Sequence, residues 1–231
     1  MRLHRFIGEF DLSKSEIEIK DSEIIKQVRN VLRLNVGDFL ILSDGKGMEK
    51  ETTITSLSKE NIIVEVIKDI PLNEPTKKVS LYLAVLKKEN FELAVQKAVE
   101  CGVSEIIPII TERTVKTGLN KTRLEKIIKE SCEQSGRGIL PHLSETISFD
   151  DALQDGTKNE ERVVFHFVDK QYESKKNTTY ASIFIGPEGG FTEHEISLTK
   201  DTGYTVTSLG SLTLRAETAA MISTYRVVQN I

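Results

Sequence analysis

Two stretches near the C-terminus combine glycines with charged side chains. The first is Gly186-Pro187-Glu188-Gly189-Gly190, directly after the apolar run ASIFI, and the second begins at Leu209-Gly210. Glycine permits positive φ and close approach of a ligand to the main chain, while proline fixes φ and removes a donor. These residues predict two binding loops. The first stretch alone is equally compatible with a tight turn that binds nothing.

Three residues with useful chemistry follow the second glycine stretch. Arg215, Glu217 and Thr218 place a cation, a carboxylate and a hydroxyl at the predicted start of a helix over 217–230. Arginine offers a permanent charge and five donors to an anion, and a carboxylate can accept a proton. Two structural alternatives exist. Arg215 could pair with Glu217 or Glu188 to hold the loop, and Glu217 could only favour the helix dipole.

The sequence lacks the common metal and nucleotide motifs. Neither cysteine belongs to a C-x-x-C pair, and the four histidines show no H-E-x-x-H spacing. The first βα turn, LKKENFE, contains no glycine, and no G-x-x-x-x-G-K-[ST] sequence occurs. We therefore predict no metal site, and we expect neither a dinucleotide-binding fold nor a Walker ATPase nor a Rossmann-like methyltransferase.

The hydropathy pattern changes at residues 71–75. Before this PLNEP stretch, short runs that alternate apolar and polar residues predict a small β-barrel-like module, interrupted by a helix over 22–32. Two prolines in five residues are typical of a linker. In a chain of 231 residues, this pattern predicts two domains, residues 1–72 and residues 73–231.

After the linker, apolar strands alternate with amphipathic helices. Strands are predicted at VSLYLAVL, SEIIPII, RVVFHFV, ASIFIG and YTVTSLG, and capping boxes at Thr122 with Glu125 and at Thr192 with Glu195. This alternation predicts a mostly parallel sheet that is covered on both faces. Because ligands of such sheets bind at the carboxyl ends of the strands, both glycine loops are expected at that edge.

Charge is unevenly distributed along the chain. The formal net charge is −4, yet residues 77–142 hold 12 Lys and Arg against 8 Asp and Glu. This asymmetry indicates either a surface that faces a polyanion or a solvated face with local ion pairs.

Six segments together resemble the RsmE family of ribosomal RNA methyltransferases. They are IGPEGGFTEHE, SLGSLTLRAETA, LAVQKAVECGV, ERTV, CEQSGRGILP and VRNVLRLNVGD, and they cover nearly the whole chain. The resemblance implies an α/β fold: a C-terminal SPOUT domain, the trefoil-knotted α/β-knot class, with an N-terminal PUA-like β-barrel that binds RNA. It also implies a homodimer that uses S-adenosylmethionine to methylate N3 of a uridine near the 3′ end of 16S rRNA in the small ribosomal subunit.

The resemblance also assigns roles to individual residues. Catalysis is assigned to Arg215, Glu217 and Glu188. Cofactor binding is assigned to Ile185, Gly186, Pro187, Glu188, Gly189, Gly190, Leu209, Gly210 and Leu214. Independently of the resemblance, the arginines of the N-terminal module and the cations of the basic segment 77–142 predict RNA binding by Arg2, Arg5, Arg29, Arg33, Lys87, Arg113 and Arg137. Two positions depart from the usual family pattern, because Gln27 stands where relatives carry histidine and Ala216 stands where they carry threonine.

Two further expectations complete the interpretation. Apolar residues on more than one face of the last helix predict a homodimer. The absence of a signal sequence and of an apolar run near the roughly 18 residues of a membrane span predicts a cytoplasmic protein without membrane contact. The alternatives are a SPOUT enzyme that acts on tRNA or on a ribose 2′-OH, and a non-catalytic RNA-binding or ribosome-assembly module.

Overall fold

The computed structural model describes residues 4–115 and 118–231. Their contacts divide the chain into two compact units. The first unit is the chain up to Glu74 together with Cys132–Leu140, and the second is Pro75–Ser131 with Pro141–Ile231. Cys132–Leu140 lies within the range 73–231 of the sequence-based division.

The first unit is built on a five-stranded sheet. Its strands are β1 (His4–Ile7), β2 (Glu16–Ile19), β3 (Phe39–Ser43), β4 (Glu49–Leu57) and β5 (Ile62–Asp69), in the order β1-β3-β4-β5-β2. β1 and β3 run parallel and the other pairs are antiparallel. Among the described residues no hydrogen-bonded ladder joins β1 to β2, so the sheet is open at this point. Phe6, Leu40, Leu42 and Ile62 are fully buried in one core.

The helix predicted over 22–32 is divided into two parts. α1 (Ser22–Lys26) begins after Asp21, whose carboxylate accepts hydrogen bonds from the amides of Glu23 and Ile24. A π-helical turn, Gln27–Val31, continues it. Gln27, the departure from the family pattern, therefore begins this wider turn.

The second unit contains a seven-stranded sheet in which every pairing is parallel. Its strands are β6 (Lys78–Ala84), β7 (Glu105–Ile110), β8 (His142–Leu143), β9 (Ile147–Ser148), β10 (Glu161–Phe165), β11 (Tyr180–Ile185) and β12 (Thr205–Thr207). The order is β12-β10-β11-β6-β7-β8, and β9 also pairs with β7. The predicted parallel sheet is therefore confirmed. Threading of the chain through a knot stays a prediction.

Helices cover both faces of this sheet. They are α2 (Lys88–Glu100), α3 (Lys121–Ser135), whose last residues belong to the first unit, α4 (Phe149–Asp155), α5 (Glu193–Asp201) and α6 (Ala216–Gln229). Successive residues of a strand point to opposite faces, and Leu81, Tyr82, Leu83 and Ala84 of β6 are all completely buried. α2 and α6 pack together, and α6 contacts β6 and β11.

One predicted capping box is confirmed and the other is wrong. Thr192 and Glu195 form the reciprocal box at the start of α5. At α3, however, Asn120 accepts a hydrogen bond from the Arg123 amide at 3.0 Å, in place of the box predicted from Thr122. An Asn side chain is among the best acceptors at this position, so the helix begins two residues earlier than the predicted box requires.

Two general findings concern the described residues. No helix in residues 4–115 or 118–231 is long and apolar enough to cross a bilayer. Within the same ranges, no group of three His, Cys, Asp or Glu side chains lies close enough to hold a metal ion.

Candidate active site

A cleft of about 740 Å³ lies at the carboxyl ends of adjacent strands in the second unit. Its lining comes from the residues that follow β6, β10, β11 and β12, including the first turns of α2 and α6. These four strands are neighbours in the sheet, so their following loops meet at one edge. All nine residues predicted to bind a cofactor line this cleft, as do the three predicted catalytic residues.

The first glycine loop is both a tight turn and a wall of the cleft. The Gly190 amide donates to the Pro187 carbonyl at 2.8 Å, and Gly190 has φ +69°. A Cβ on Gly186 would meet the Phe191 ring at 3.2 Å. Glycine is therefore required at these positions by the turn and by close packing. The structure shows the turn and its position in the cleft wall, and the binding of a ligand by this loop stays a prediction.

The second glycine loop leaves open space at its glycine. Gly210 has φ +148°, and a Cβ built on it would meet no atom within 4 Å. The Ser208 amide donates to Lys170 at 2.8 Å, and the Tyr172 amide donates to the Ser208 carbonyl at 2.9 Å, which fixes the start of the loop. Leu209 and Leu214 are partly exposed, and Leu212 is exposed on the rim.

Arg215 presents an uncommitted charge to the cleft. It is the N-cap residue of α6, it is exposed, and its side chain makes no capping hydrogen bond. Within residues 4–115 and 118–231 no ion pair joins Arg215 to Glu217 or Glu188, so the loop-holding alternative is not what the structure shows. The five guanidinium donors are available to a ligand.

The two cleft carboxylates differ in their surroundings. Glu217 is buried, with 8% of its surface exposed, and its Oε2 has no hydrogen-bond partner in the described part of the chain. Glu188 is exposed, and its Oε1 accepts a hydrogen bond from the Lys87 amide at 3.2 Å. A buried carboxylate oxygen without a partner is costly, and this cost is typical of functional sites. Of the two carboxylates, Glu217 is therefore the one with an oxygen that lacks a hydrogen-bond donor among the described residues.

The residues after β10 line the cleft as well, and the sequence did not indicate them. His166 is half-buried, and a Cβ on Gly190 would lie 3.7 Å from its Cε1. Burial lowers the pKa of the His166 imidazole below 6.5, and the nearby Arg113 guanidinium lowers it further. Phe167 is 65% exposed. Only the strand order, which periodicity does not provide, places this loop between the two glycine loops.

The predicted RNA contacts of the first unit fall into different classes. Arg2 lies outside the described residues. Arg5 is largely buried and its Nε lies 2.6 Å from Glu49 Oε1, so its charge is paired within the first unit and we do not retain it as an RNA contact. Arg29 is partly exposed and Arg33 is exposed, with no ion pair to another described residue. Arg33 adopts φ +55°, a conformation that non-glycine residues seldom adopt, and this strain is often found at functional sites.

The other three predicted RNA contacts also differ from one another. Lys87 is exposed and lines the cleft. The Arg113 Nη1 donates to the Gly189 carbonyl at 2.7 Å. Arg137 is 6% exposed, and its Nη2 lies 2.8 Å from Glu74 Oε2. Its charge is buried and paired within the first unit, so we withdraw Arg137 from the RNA-binding set.

Comparison with known proteins identifies relatives over most of the chain. A family profile described as an RNA methyltransferase domain matches residues 73–228, and one described as an RNA methyltransferase PUA domain matches residues 28–67. The ribosomal RNA small subunit methyltransferase E of Rickettsia conorii is 32% identical, covering 92% of this chain and 89% of the relative. The Bacillus subtilis protein of the same name is 32% identical, with 91% of each chain covered.

Two solved structures share the fold along nearly their entire length. A methyltransferase from Legionella pneumophila, in complex with the bound cofactor S-adenosylmethionine, has a TM-score of 0.83 and 29% identity, covering 97% of this chain and 96% of that one. A ribosomal RNA small subunit methyltransferase E from Neisseria gonorrhoeae, bound to S-adenosylmethionine, has a TM-score of 0.86 and 26% identity, covering 96% and 95%.

Proposed function

Because the chain belongs to the family of ribosomal RNA small subunit methyltransferases E, we propose that it methylates N3 of a uridine near the 3′ end of 16S rRNA. Family membership makes the protein an S-adenosylmethionine-dependent methyltransferase of ribosomal RNA. The target base and atom are the part that we add. One observation carries this choice: an uncommitted arginine and a buried carboxylate oxygen without a partner share one glycine-lined cleft.

The cleft suits S-adenosylmethionine in size and in the character of its walls. Its volume of about 740 Å³ lies in the range typical of small-molecule sites, about 300–1,000 Å³. Open space at Gly210 lets a ligand contact the main chain directly. We assign the contacts to residues 185–190 and to Leu209, Gly210 and Leu214. When bound, S-adenosylmethionine supplies an electrophilic methyl group on a sulfonium sulfur.

Arg215 is suited to stabilising the nucleophile. Uracil N3 carries a proton at neutral pH, so the enzyme must favour the anion before the nitrogen can attack. The negative charge of that anion is shared between N3 and the flanking carbonyl oxygens. A planar guanidinium can donate to both kinds of atom, and its charge is permanent. Because Arg215 is not paired with Glu217 or Glu188, this interaction requires no existing ion pair to break.

Glu217 is the carboxylate that we assign as proton acceptor. Its Oε2 is buried and makes no hydrogen bond to the described residues, so a rotation of the side chain that brings this oxygen to a uracil N3–H in the cleft would provide the missing donor. Glu188 already accepts the Lys87 amide, which fits a role in orienting the loop. The helix dipole of α6 also favours negative charge at Glu217, but it does not explain a buried oxygen without a partner.

RNA affinity is the function that we assign to the N-terminal domain and to exposed cations. We propose residues 1–72 as the PUA-like RNA-binding domain and residues 73–231 as the methyltransferase domain. Arg29, Arg33 and Lys87 would neutralise phosphates and give a salt-dependent, largely sequence-independent contribution to affinity. We further propose a homodimer that acts on the small ribosomal subunit in the cytoplasm.

Methyl transfer to isolated small subunits tests the roles in the cleft. Subunits from cells that lack this methylation would be incubated with tritiated S-adenosylmethionine and each variant. We expect Arg215→Ala to bind S-adenosylmethionine within a few fold of the wild type and to transfer about 10²-fold more slowly or worse. Arg215→Lys should recover little, since a point charge lacks the planar fork.

The control for this experiment removes a charge elsewhere in the same unit. Lys200 is exposed in the last turn of α5 and does not line the cleft, so Lys200→Ala should transfer at the wild-type rate. A stable, cofactor-binding Arg215→Ala variant with normal turnover would contradict the assigned role.

A further inference from the structure

The turn after β7 is attached to the first glycine loop. Arg113 Nη1 donates to the Gly189 carbonyl at 2.7 Å and to the Phe191 carbonyl at 3.4 Å. The amide of the preceding residue, Glu112, donates to Glu195 Oε1 at 3.0 Å. Three hydrogen bonds therefore connect this turn to the segment that runs from the cleft wall into α5.

Both ends of this attachment are rigid. The Thr111 amide donates to Thr114 Oγ1 at 3.0 Å, and the Thr114 amide donates to the Thr111 carbonyl at 3.0 Å. On the other side, Glu195 is only 2% exposed, and its Oε2 accepts the Thr192 amide at 2.8 Å. The one carboxylate thus joins the turn to the helix start.

Arg113 contacts the loop where the backbone conformation is most demanding. The two carbonyls that it binds flank Gly190, which has φ +69°. A Cβ on Gly189 would lie 3.3 Å from Arg113 Cδ, so the arginine stem packs directly on this glycine. A charged donor strengthens hydrogen bonds to carbonyls that have no partner in a helix or sheet.

We propose that Arg113 is a positioning residue for the cofactor loop and does not contact RNA. It holds the Gly189 and Phe191 carbonyls so that the loop keeps the shape needed to bind S-adenosylmethionine. This inference rests on the proposed function, because it assumes that residues 185–190 contact the cofactor.

The Arg113 charge also acts on the cleft histidine. His166 is half-buried in the cleft, whose other charged lining residues are Lys87, Glu188, Arg215 and Glu217. Together with burial, the Arg113 guanidinium lowers the pKa of His166. Loss of the guanidinium should therefore raise that pKa. The imidazole resonances provide a local readout, and a circular dichroism melt of each variant separates this effect from unfolding, which would also raise the pKa by relieving burial.

The experiment compares Arg113→Ala and Arg113→Lys with Arg123→Ala in the full-length chain. Arg123 is a matched control, because it is exposed on α3 and its Nε pairs with Glu92 at 3.3 Å, away from the cleft lining. Calorimetry would measure S-adenosylmethionine affinity, and titration of small subunits at several salt concentrations would measure RNA affinity and its salt slope. NMR titration would follow His166.

We expect Arg113→Ala to lose about 10- to 100-fold in S-adenosylmethionine affinity, as for a lost hydrogen bond to a charged group. The RNA salt slope should not change, and the His166 pKa should rise. Arg113→Lys should restore most of the affinity, since an ammonium can still donate to Gly189. Arg123→Ala should match the wild type for the cofactor.

Two results would overturn the positioning role of Arg113, and a third would overturn the proposed function on which that role rests. Unchanged S-adenosylmethionine affinity in Arg113→Ala would remove the positioning role. A flatter RNA salt slope with intact cofactor affinity would make Arg113 a phosphate contact. Failure of the wild-type chain to bind S-adenosylmethionine would instead overturn the proposed function and, with it, this inference.

Discussion

Glu217→Gln should stabilise the protein while it inactivates the enzyme. Glu217 is 8% exposed, and its Oε2 finds no donor among the residues that the structure describes. Leaving such a group buried and unsatisfied costs about 1–3 kcal/mol. The favourable interaction of its charge with the α6 dipole returns about 0.3–1 kcal/mol. Glutamine also leaves a polar group without a partner, but a neutral amide costs less to bury than a charge. Replacing the charge should therefore raise the free energy of unfolding by at most about 1 kcal/mol.

Thermal unfolding measures the expected gain in stability, and methyl transfer measures the expected loss of activity. For a chain of this size, about 1 kcal/mol corresponds to a Tm increase of about 2–4 °C at pH 7 without cofactor. Loss of a proton acceptor should slow methyl transfer by about 10²- to 10⁴-fold. Glu193→Gln is the matched control, because Glu193 is exposed in the first turn of α5 and serves only the helix dipole. This control should lower Tm slightly and leave transfer unchanged.

The direction of the Tm change distinguishes a proton acceptor from a residue that only interacts with the helix dipole. If Glu217 serves only the helix dipole, Glu217→Gln will lower Tm as the control does. Methyl transfer will then continue at the wild-type rate. That pair of results would refute the assignment of Glu217 as proton acceptor.

Three further predictions concern other parts of the molecule. Gly210→Val should abolish S-adenosylmethionine binding in calorimetry, because its side chain would occupy the open space at φ +148°, while circular dichroism shows a folded protein. Arg33→Ala should weaken RNA binding and flatten its salt slope in filter-binding assays, whereas the buried and paired Arg137 does not act by this route. The folded-state pKa of His166 is lowered, so the unfolded chain binds this proton more readily and the free energy of unfolding falls as the pH drops below 6.5. His166→Gln should reduce that acid sensitivity in denaturant titrations.

Local sequence rules predicted the elements of the second unit well. The apolar run of β11 and the amphipathic spacing of α2 appear where expected, since short-range periodicity reflects which face is buried. The capping box of α5 follows the same logic. At α3 the capping-box rule selected Thr122 because Glu125 follows it three residues later, whereas the structure uses Asn120, two residues earlier.

Features that depend on distant residues were not predictable in this way. His166 lines the cleft because β10 lies between β11 and β12, an order that no local pattern encodes. Arg137 has the sequence context of an exposed cation, yet it pairs with Glu74, 63 positions away. Likewise, the two carbonyls bound by Arg113 lie more than 70 positions further along the chain. These contacts are set by tertiary packing.

The most direct test of the account is the state of one uridine in the small subunit RNA. Ribosomes from a strain that lacks this protein would be compared with the same strain carrying the wild-type gene or the Arg215→Ala variant. Mass spectrometry of 16S rRNA fragments would locate the methyl group. Primer extension would show whether it lies at N3, where it blocks base pairing and stops the polymerase. We predict one N3-methyluridine near the 3′ end that is lost in the deletion strain, restored by the wild type and not restored by the variant. An unchanged methylation pattern in the deletion strain, or loss of a 2′-O-methyl group instead, would contradict it.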